Sequence, residues 1–539
     1  MPTLDWLNRA EALTLSDKVP YRVLDPVSEH GDGNTNNLLI QGDNLDALKA
    51  LLPFYRGRVK CIYIDPPFNT EQAFPNYDDN LEHAQWLTMM YPRLVLLREL
   101  LRNDGTIFIH IDDNELGYLI TIVDEVMGRK NRVAVVTFKQ GAATGHKSIN
   151  PGMVSTTNFL LVYAKEKSSW KPSRLFTGRE RDKRYGHFLV NPDDHYVDWR
   201  LTTLSAAFTA AKGKKISELK KEIGPQLLED QLNEFVIEHA GQVIQPVRPD
   251  YDAVSEAAQK LIDQSLAEPE KIFLLVRDGY SNMYFKGGQR WIFYREKLKE
   301  IDGVLVAGEP LTTLWDDLLS NNLHKEGGVE FPKSKKPESL IKRILELCTS
   351  PNDLVLDSFL GSGTTAAVAH KMGRRWIGIE MGTHAETHCL PRLQKVIEGE
   401  QGGISQAVSW KAGGGFRFLR LGEPMFNADG SIHPSVRFSS LASFVWMQET
   451  GLTKGGPWKV PKLGAHEGRG IYLLFNGILG DKRPQSGNVL TNEVLAAIDT
   501  ICPHNGPKTI YGEACRLGAA RLAAAGVTFK HIPYDVKAR

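Results

Sequence analysis

The run Val59-Lys60-Cys61-Ile62-Tyr63-Ile64 stops at Asp65-Pro66-Pro67-Phe68, and this junction constrains the chain more than any other stretch. A short β-branched run meets two prolines that can neither continue a helix nor donate ladder hydrogen bonds, so the spacing predicts a buried strand that ends abruptly. An acid and an aromatic ring then stand at a strand's carboxyl end, where open α/β sheets bind ligands. The Asp65 carboxylate and the carbonyls around a rigid Pro-Pro accept hydrogen bonds from an amino group, and Phe68 stacks on a planar ring. Those are the needs of an enzyme that presents the exocyclic amino group of a nucleobase to an electrophile. Alone, the tetrapeptide reads first as a strand ending in a proline turn, and a second motif shifts that balance.

Asp353-Leu354-Val355-Leu356-Asp357-Ser358-Phe359-Leu360-Gly361-Ser362-Gly363-Thr364-Thr365 has the grammar of a strand, a glycine turn and a helix start. The helix formers Ala366 to Ala369 follow, and Gly373 marks the stop. The next apolar stretch, Trp376-Ile377-Gly378-Ile379, ends in Glu380, about 20 residues beyond the glycines. At that spacing an acidic residue on a second strand reaches ribose hydroxyls in a nucleotide-binding βαβ unit. The third glycine of the dinucleotide fingerprint is missing, since Ala366 and Ala367 fill its region. That departure favours an adenosine without phosphates over a pyrophosphate, and S-adenosylmethionine is such a ligand.

Asp-Pro-Pro-Phe early and Phe-Leu-Gly-Ser-Gly-Thr-Thr late resemble the amino-group DNA methyltransferases of the β arrangement, in which the catalytic motif precedes the cofactor motif. Gln41-Gly42-Asp43-Asn44-Leu45 is similar to the family's Gly-Asp-x-Leu segment. Phe331-Pro332-Lys333-Ser334-Lys335-Lys336-Pro337-Glu338-Ser339-Leu340 is similar to its Lys-Pro-x-x-Leu helix start, and Phe159 to Lys165 to a late strand of the catalytic half. Asp65 to Thr70 and Phe108-Ile109-His110-Ile111-Asp112-Asp113-Asn114-Glu115 resemble the modification subunits of type III restriction systems. The resemblance spans roughly residues 35–170 and 325–400.

It implies a Rossmann-like, three-layer α/β methyltransferase core with permuted motif order, a target-recognition insert and a C-terminal accessory domain. It also implies that Asp65 and the Pro66 carbonyl accept the two amino hydrogens of the target base while Pro67 stiffens the turn and Phe68 stacks on the extruded base. Asp357, Phe359, Gly361, Gly363, Thr364 and Thr365 line the S-adenosylmethionine pocket, Glu380 binds its ribose, and Asp43 closes it. Asp in the first motif position is the pattern associated with N6-adenine rather than N4-cytosine. Because the amino group lies inside a stacked duplex, the base must be flipped out at a cost of a few kcal/mol. Double-stranded DNA is the implied substrate, a homodimer the implied assembly, and a restriction helicase-nuclease or other defence subunit the implied partner. No metal is expected.

Composition narrows this picture without deciding it. At 539 residues the chain exceeds the size of one typical domain. A formal net charge of +1 gives no global basic field, so DNA-binding charge must be local. The cysteines Cys61, Cys348, Cys389, Cys502 and Cys515 show no C-x-x-C spacing, which argues against a disulfide framework or a zinc site. Met1 to Trp6 lack a basic stretch before an apolar core, and no apolar run has the length of a membrane span, so a cytoplasmic protein is expected.

The expected division is 1–170 for the first part of the core, 171–320 for a recognition insert, 321–400 for the cofactor part and 401–539 for the accessory domain. From Lys171 to Gly224 there are twelve Lys/Arg against seven Asp/Glu, interleaved with Trp170, Tyr185, His187, Tyr196 and Trp199. That suits phosphate contacts beside base reading, although a solvated insertion carries similar charge. Within it, Ile216 to Phe235 reads as one amphipathic helix, and Tyr280 to Trp291 as a hairpin turning at Gly287-Gly288, its aromatics assigned to sheet packing. Gly413-Gly414-Gly415 lacks a following Gly-Lys-Ser/Thr and reads as a tight turn. The tail reads as a strand at Ile471 to Phe475, a helix from Glu513 to Ala525 and a last strand. The alternatives are an N4-cytosine enzyme, an RNA or protein amino-group methyltransferase, and a non-catalytic DNA-binding subunit.

Overall fold

The protein is described by a computed structural model over residues 3–33, 35–69, 82–141, 153–318, 323–329, 335–427, 431–452, 454, 456, 458–480 and 488–533. Thr70 and Phe331 to Ser334 of the motifs above lie outside the described residues. The chain forms two compact units, one of Met1–Ser173 with Thr312–Arg539 and one of Arg174–Leu311.

The first unit is built on a ten-stranded sheet. Its strand order is Arg22–Gly31, Gly415–Pro424, Leu38–Gln41, Arg375–Glu380, Leu354–Asp357, Val59–Ile64, Leu101–Ile111, Thr157–Ala164, Arg132–Lys139 and Leu314–Trp315. The six strands from Gly415–Pro424 to Leu101–Ile111 are parallel. Every residue of Val59–Ile64 is buried, as a strand covered on both faces requires. Even the Lys60 stem is covered, with its ammonium on the Asp104 carbonyl and carboxylate. From Leu354–Asp357 the chain moves to Arg375–Glu380 on one side, and from Val59–Ile64 to Leu101–Ile111 on the other. The order therefore reverses between Leu354–Asp357 and Val59–Ile64, which pair directly with Val355 opposite Cys61 and Leu356 opposite Ile62.

Alternation along these strands builds three layers. Ile62, Ile64, Leu354 and Leu356 share one apolar core with the helices Asn44–Tyr55 and His83–Leu100. Across the sheet, Cys61 faces Cys348 at the end of the helix Glu338–Cys348. The architecture is the Rossmann-like α/β core that the motifs imply. None of the helices among the described residues is long and apolar enough to cross a membrane.

The boundary expected at residue 401 is not a boundary. Gly415–Pro424 is an interior strand of the ten-stranded sheet, paired with Arg22–Gly31 and Leu38–Gln41. Beyond it, Leu441 and Val445 of the helix Phe438–Thr450, with Leu463, Ile471, Leu473 and Tyr511 of a four-stranded tail sheet, join the same apolar core. The segment 401–539 thus contributes to the core rather than standing apart. The expected Glu513–Ala525 helix is also shorter. Ala514–Cys515 is a strand and the helix is Ala519–Ala524, because Gly518 interrupts the run and Ala alone does not carry a helix through it.

The Arg174–Leu311 unit holds a six-stranded antiparallel sheet, a three-stranded sheet and its own core around Tyr185, Phe208, Phe235 and Tyr294. Met283–Lys286 and Gln289–Phe293 form the hairpin, with Gly287 and Gly288 both at positive φ in its turn. Phe285 and Trp291 are buried in the sheet. The single helix expected from Ile216 to Phe235 is two, Ile216–Ile223 and Pro225–Glu238. Gly224 takes φ 85° and Pro225 opens the second helix, a stop and start written in the Gly-Pro pair.

Candidate active site

The carboxyl ends of the two central strands open on a cavity of about 330 Å³. Asp65 and Pro67 line it from one strand end, and Asp357, Phe359, Gly361, Thr364 and Thr365 from the other. Glu380 and Asp43 complete the set that the sequence singles out. Pro66 is buried behind the turn, Phe68 is half-buried beside the cavity, and Gly363 shapes the loop without lining it.

The Asp65–Phe68 turn is held from outside the motif. Trp86 Nε1 donates to the Pro67 carbonyl at 2.8 Å, committing that oxygen. Asn69 takes φ 59°, a left-handed conformation that Asn tolerates. Its amide donates to the fully buried Glu115 at 2.7 Å, and His83 Nδ1 meets the same oxygen at 2.6 Å. Phe68 packs against His110, whose Nδ1 lies 3.0 Å from the Tyr63 hydroxyl. Burial and the Lys336 charge push His110 well below its ordinary pKa, while burial, Asp65 and Asp357 push the Tyr63 phenol well above its own. Both side chains are neutral supports.

The glycine loop is ordered by its own carboxylates. Asp357 Oδ1 accepts from the Phe359 N–H at 2.9 Å and Oδ2 from the Thr365 hydroxyl at 2.6 Å. Glu380 accepts from the N–H groups of Gly361 at 2.7 Å and Gly382 at 3.3 Å. Gly361 and Gly363 have φ of 57° and 84°, so side chains at either would strain the turn. Thr364 and Thr365 line the wall, yet their hydroxyls are committed, Thr365 to Asp357 and Thr364 to Arg392 at 2.7 Å. Asp43 caps the helix Asn44–Tyr55 by accepting from Leu45 N and pairs with Arg93 at 3.1 Å. Arg93 also donates to Asn44, which in turn holds the Ser358 carbonyl at 2.7 Å.

Arg93, Tyr63, Trp86, Arg392 and Lys336 are the neighbours that hold these residues in place, and the motifs do not assign them. Lys336 was legible only as part of a helix start, and Arg93 and Arg392 sit in ordinary helical patterns. Nothing local marks Arg93 or Arg392.

Burial pushes Asp357 up to about 7, with the nearby Asp65 and Glu380 charges adding to it against the two hydrogen bonds. Burial likewise raises Glu380. The folded protein therefore holds the Asp357 proton more tightly than the unfolded chain, whose carboxyl titrates near 3.8. The stability this gives is fully present below that value and is lost as pH rises to about 7. Asp357→Asn is expected to remove this part of the pH dependence, measured as urea midpoints of the free protein from pH 4 to 8. Parallel curves for the two proteins would refute the assignment.

The fold and the site define a Rossmann-like protein whose glycine loop and Asp-Pro-Pro-Phe turn share one cavity at the point of strand reversal. Residues 59–388 match the DNA methylase family, whose members comprise N6 and N4 methyltransferases, and the chain belongs to it. It is similar to the probable type III restriction-modification enzyme HindVI Mod subunit of Haemophilus influenzae, 33% identical over 433 residues that cover 73% of this chain and 55% of that protein. It is also similar to the type III EcoPI Mod subunit of Escherichia phage P1, 30% identical with 68% and 61% covered. The type II methyltransferase M.EcaI of Enterobacter cloacae is 26% identical, with 66% and 69% covered. The chain thus spans little more than half the length of the Mod subunits.

Proposed function

We propose that this chain transfers a methyl group from S-adenosylmethionine to the N6 amino group of adenine in duplex DNA, as the modification component of a restriction-modification system. One observation carries the reading: two motifs nearly three hundred residues apart meet on adjacent parallel strands and open on one cavity. The similarity to Mod subunits of restriction-modification systems supports DNA as substrate, and Asp65 in the first motif position supports adenine as base.

The cavity suits the cofactor. Its size is at the lower end of small-molecule sites, which run from about 300 to 1,000 Å³. Ile341, Phe359 and Met381 supply apolar wall for an adenine ring, Glu380 retains lone pairs for a ribose, and the carboxylates favour a ligand bearing sulfonium and ammonium charges. When bound, S-adenosylmethionine supplies a methyl carbon already activated by the sulfonium. The chain's own residues orient the nucleophile. Asp65 accepts an N–H of the target amino group, which draws the nitrogen lone pair out of conjugation, and Phe68 offers its ring to the extruded base. Trp86 and Glu115 hold that turn rigid. The pair of carboxylates with raised pKa gives a pH signature: affinity for S-adenosylmethionine rises with pH up to about 7, because the cation binds the ionised Asp357. Calorimetry between pH 5 and 8 checks this, and a flat profile contradicts it.

The Arg174–Leu311 unit is the proposed target-recognition domain, on the strength of its insertion between the two motif blocks and its basic first third. A homodimer working with a helicase-nuclease subunit in the cytoplasm belongs to the same proposal. N4-cytosine is the second reading, since the matched family includes such enzymes. Methyl transfer from labelled cofactor to mixed-sequence duplex DNA, with the product digested to nucleosides, decides among these. Label in N6-methyladenine supports the first reading, label in N4-methylcytosine the second, and label in neither rejects both.

A further inference from the structure

Lys336 occupies a place that the proposed chemistry needs for something else. Its ammonium lies 2.8 Å from Asp65 Oδ2 and 4.6 Å from the centroid of the Phe68 ring, with 9% of the side chain exposed. An ammonium brings N–H donors to a carboxylate and positive charge to a ring face. A nucleobase amino group brings N–H donors to the same carboxylate and a flat π surface to the same ring. Both cannot be there together, since a base stacked on Phe68 at van der Waals contact, about 3.5–4.0 Å, fills the space Nζ now holds.

The backbone beside Lys336 is anchored independently of the contacts its side chain makes with Asp65 and Phe68. Pro337 caps the helix Glu338–Cys348, and Glu338 is fixed at once by buried ion pairs with Lys371 at 2.9 Å and Arg392 at 2.7 Å. The four-carbon stem can swing from that fixed point. Asp65 sits near Asp357, and like charges so placed favour protonation of one of them. A cation on Asp65 offsets this.

Resting on the function proposed above, we infer that Lys336 is a positioning residue that stands in for the target amino group. In the free protein it holds the Asp65 carboxylate ionised and turned into the cavity, and it yields the Phe68 face when a flipped base arrives. The carboxylate is thereby ready to accept the amino N–H as soon as the base enters. It also follows that a base must displace an ion pair to seat itself, so a base lacking an amino donor for Asp65 replaces the lost contact poorly.

The test compares the native chain with Lys336→Met and Lys336→Arg by methyl transfer to mixed-sequence duplex DNA from pH 5 to 9. The groups facing the pair are Tyr63, His110, Asp357, Glu380 and the Asp43–Arg93 ion pair. In the native chain Tyr63 and His110 stay neutral across this range and Asp357 titrates within it, so the readout is the difference between profiles. In Lys336→Met the acid limb moves to higher pH by about one unit or more, since an opposite charge within hydrogen-bond distance lowers a carboxylate by about 1–3 units. At the acid end that is a loss of up to about tenfold in kcat/KM for DNA, the ratio that reports the free protein in which Lys336 still sits on Asp65. Lys336→Arg keeps the native profile.

A Lys336→Met profile that overlays the native one overturns the inference. Should the native chain transfer no methyl group at all, the proposed function fails first, and the pair is then read from stability alone. In urea unfolding of Lys336→Met, Asp65→Asn and the double variant, the double variant is expected to lose less than the sum of the two. Strict additivity overturns the assignment.

Discussion

Asp65→Ala is expected to lower methyl transfer to DNA by at least about 10²–10³-fold, the loss found when one preorganised hydrogen-bonding group at a reacting centre is removed. Binding of S-adenosylmethionine should survive, because the glycine loop proposed to hold it is ordered by Asp357, Glu380 and Arg392 and not by Asp65. The fold should survive as well. Pro67 remains tied to Trp86, and Asn69 to Glu115. Calorimetric titration of the cofactor beside a single-turnover transfer assay separates the two effects. A variant that binds the cofactor normally and still methylates at a tenth of the native rate would remove Asp65 from the chemistry.

Arg392→Met carries the largest expected effect on stability. Arg392 and Glu338 are fully buried and meet at 2.7 Å, and Lys371 reaches the other Glu338 oxygen at 2.9 Å and also pairs with Glu400. Burial alone would raise the Glu338 pKa, but the two cations outweigh it and hold the carboxyl below its ordinary value. Removing the guanidinium leaves a buried carboxylate short of one partner and three loop oxygens, Ser362 O, Ser362 Oγ and Thr364 Oγ1, without this donor. Breaking one side of such a pair costs about 3–5 kcal/mol. The double variant Arg392→Met with Glu338→Gln should recover part of that loss, because no unpaired charge then remains. Urea unfolding of the three proteins measures both numbers, and a cost under about 1 kcal/mol for the single variant would show that the pair is not holding the loop.

The motif chemistry was legible because it is local. Pro66 and Pro67 end a strand through their own rings, Gly361 and Gly363 permit a turn closed to other residues, and Pro337 starts a helix one residue later. Errors came where local signals conflicted or were absent. The charged pattern from Ile216 to Phe235 is helical throughout, and only the Gly224-Pro225 pair reveals the break. The glycines of Glu398-Gly399-Glu400-Gln401-Gly402-Gly403 suit the domain boundary expected at 401, yet the strand after them is an interior member of the central sheet, because its apolar residues Phe416, Phe418 and Leu419 find cover there.

What the amino-acid sequence by itself determined is therefore where strands stop, where the glycine loop turns and which residue types stand at those points. Backbone limits on φ act over two or three residues and need no partner. Only the tertiary structure decided that Leu354–Asp357 lies beside Val59–Ile64, that Lys336 sits on Asp65, that Trp86 holds Pro67 and that Arg392 pins Thr364. Those pairings join segments far apart in the chain. They are chosen by burial of a shared core and by pairing of charges within it, energies that exist only once the layers have closed.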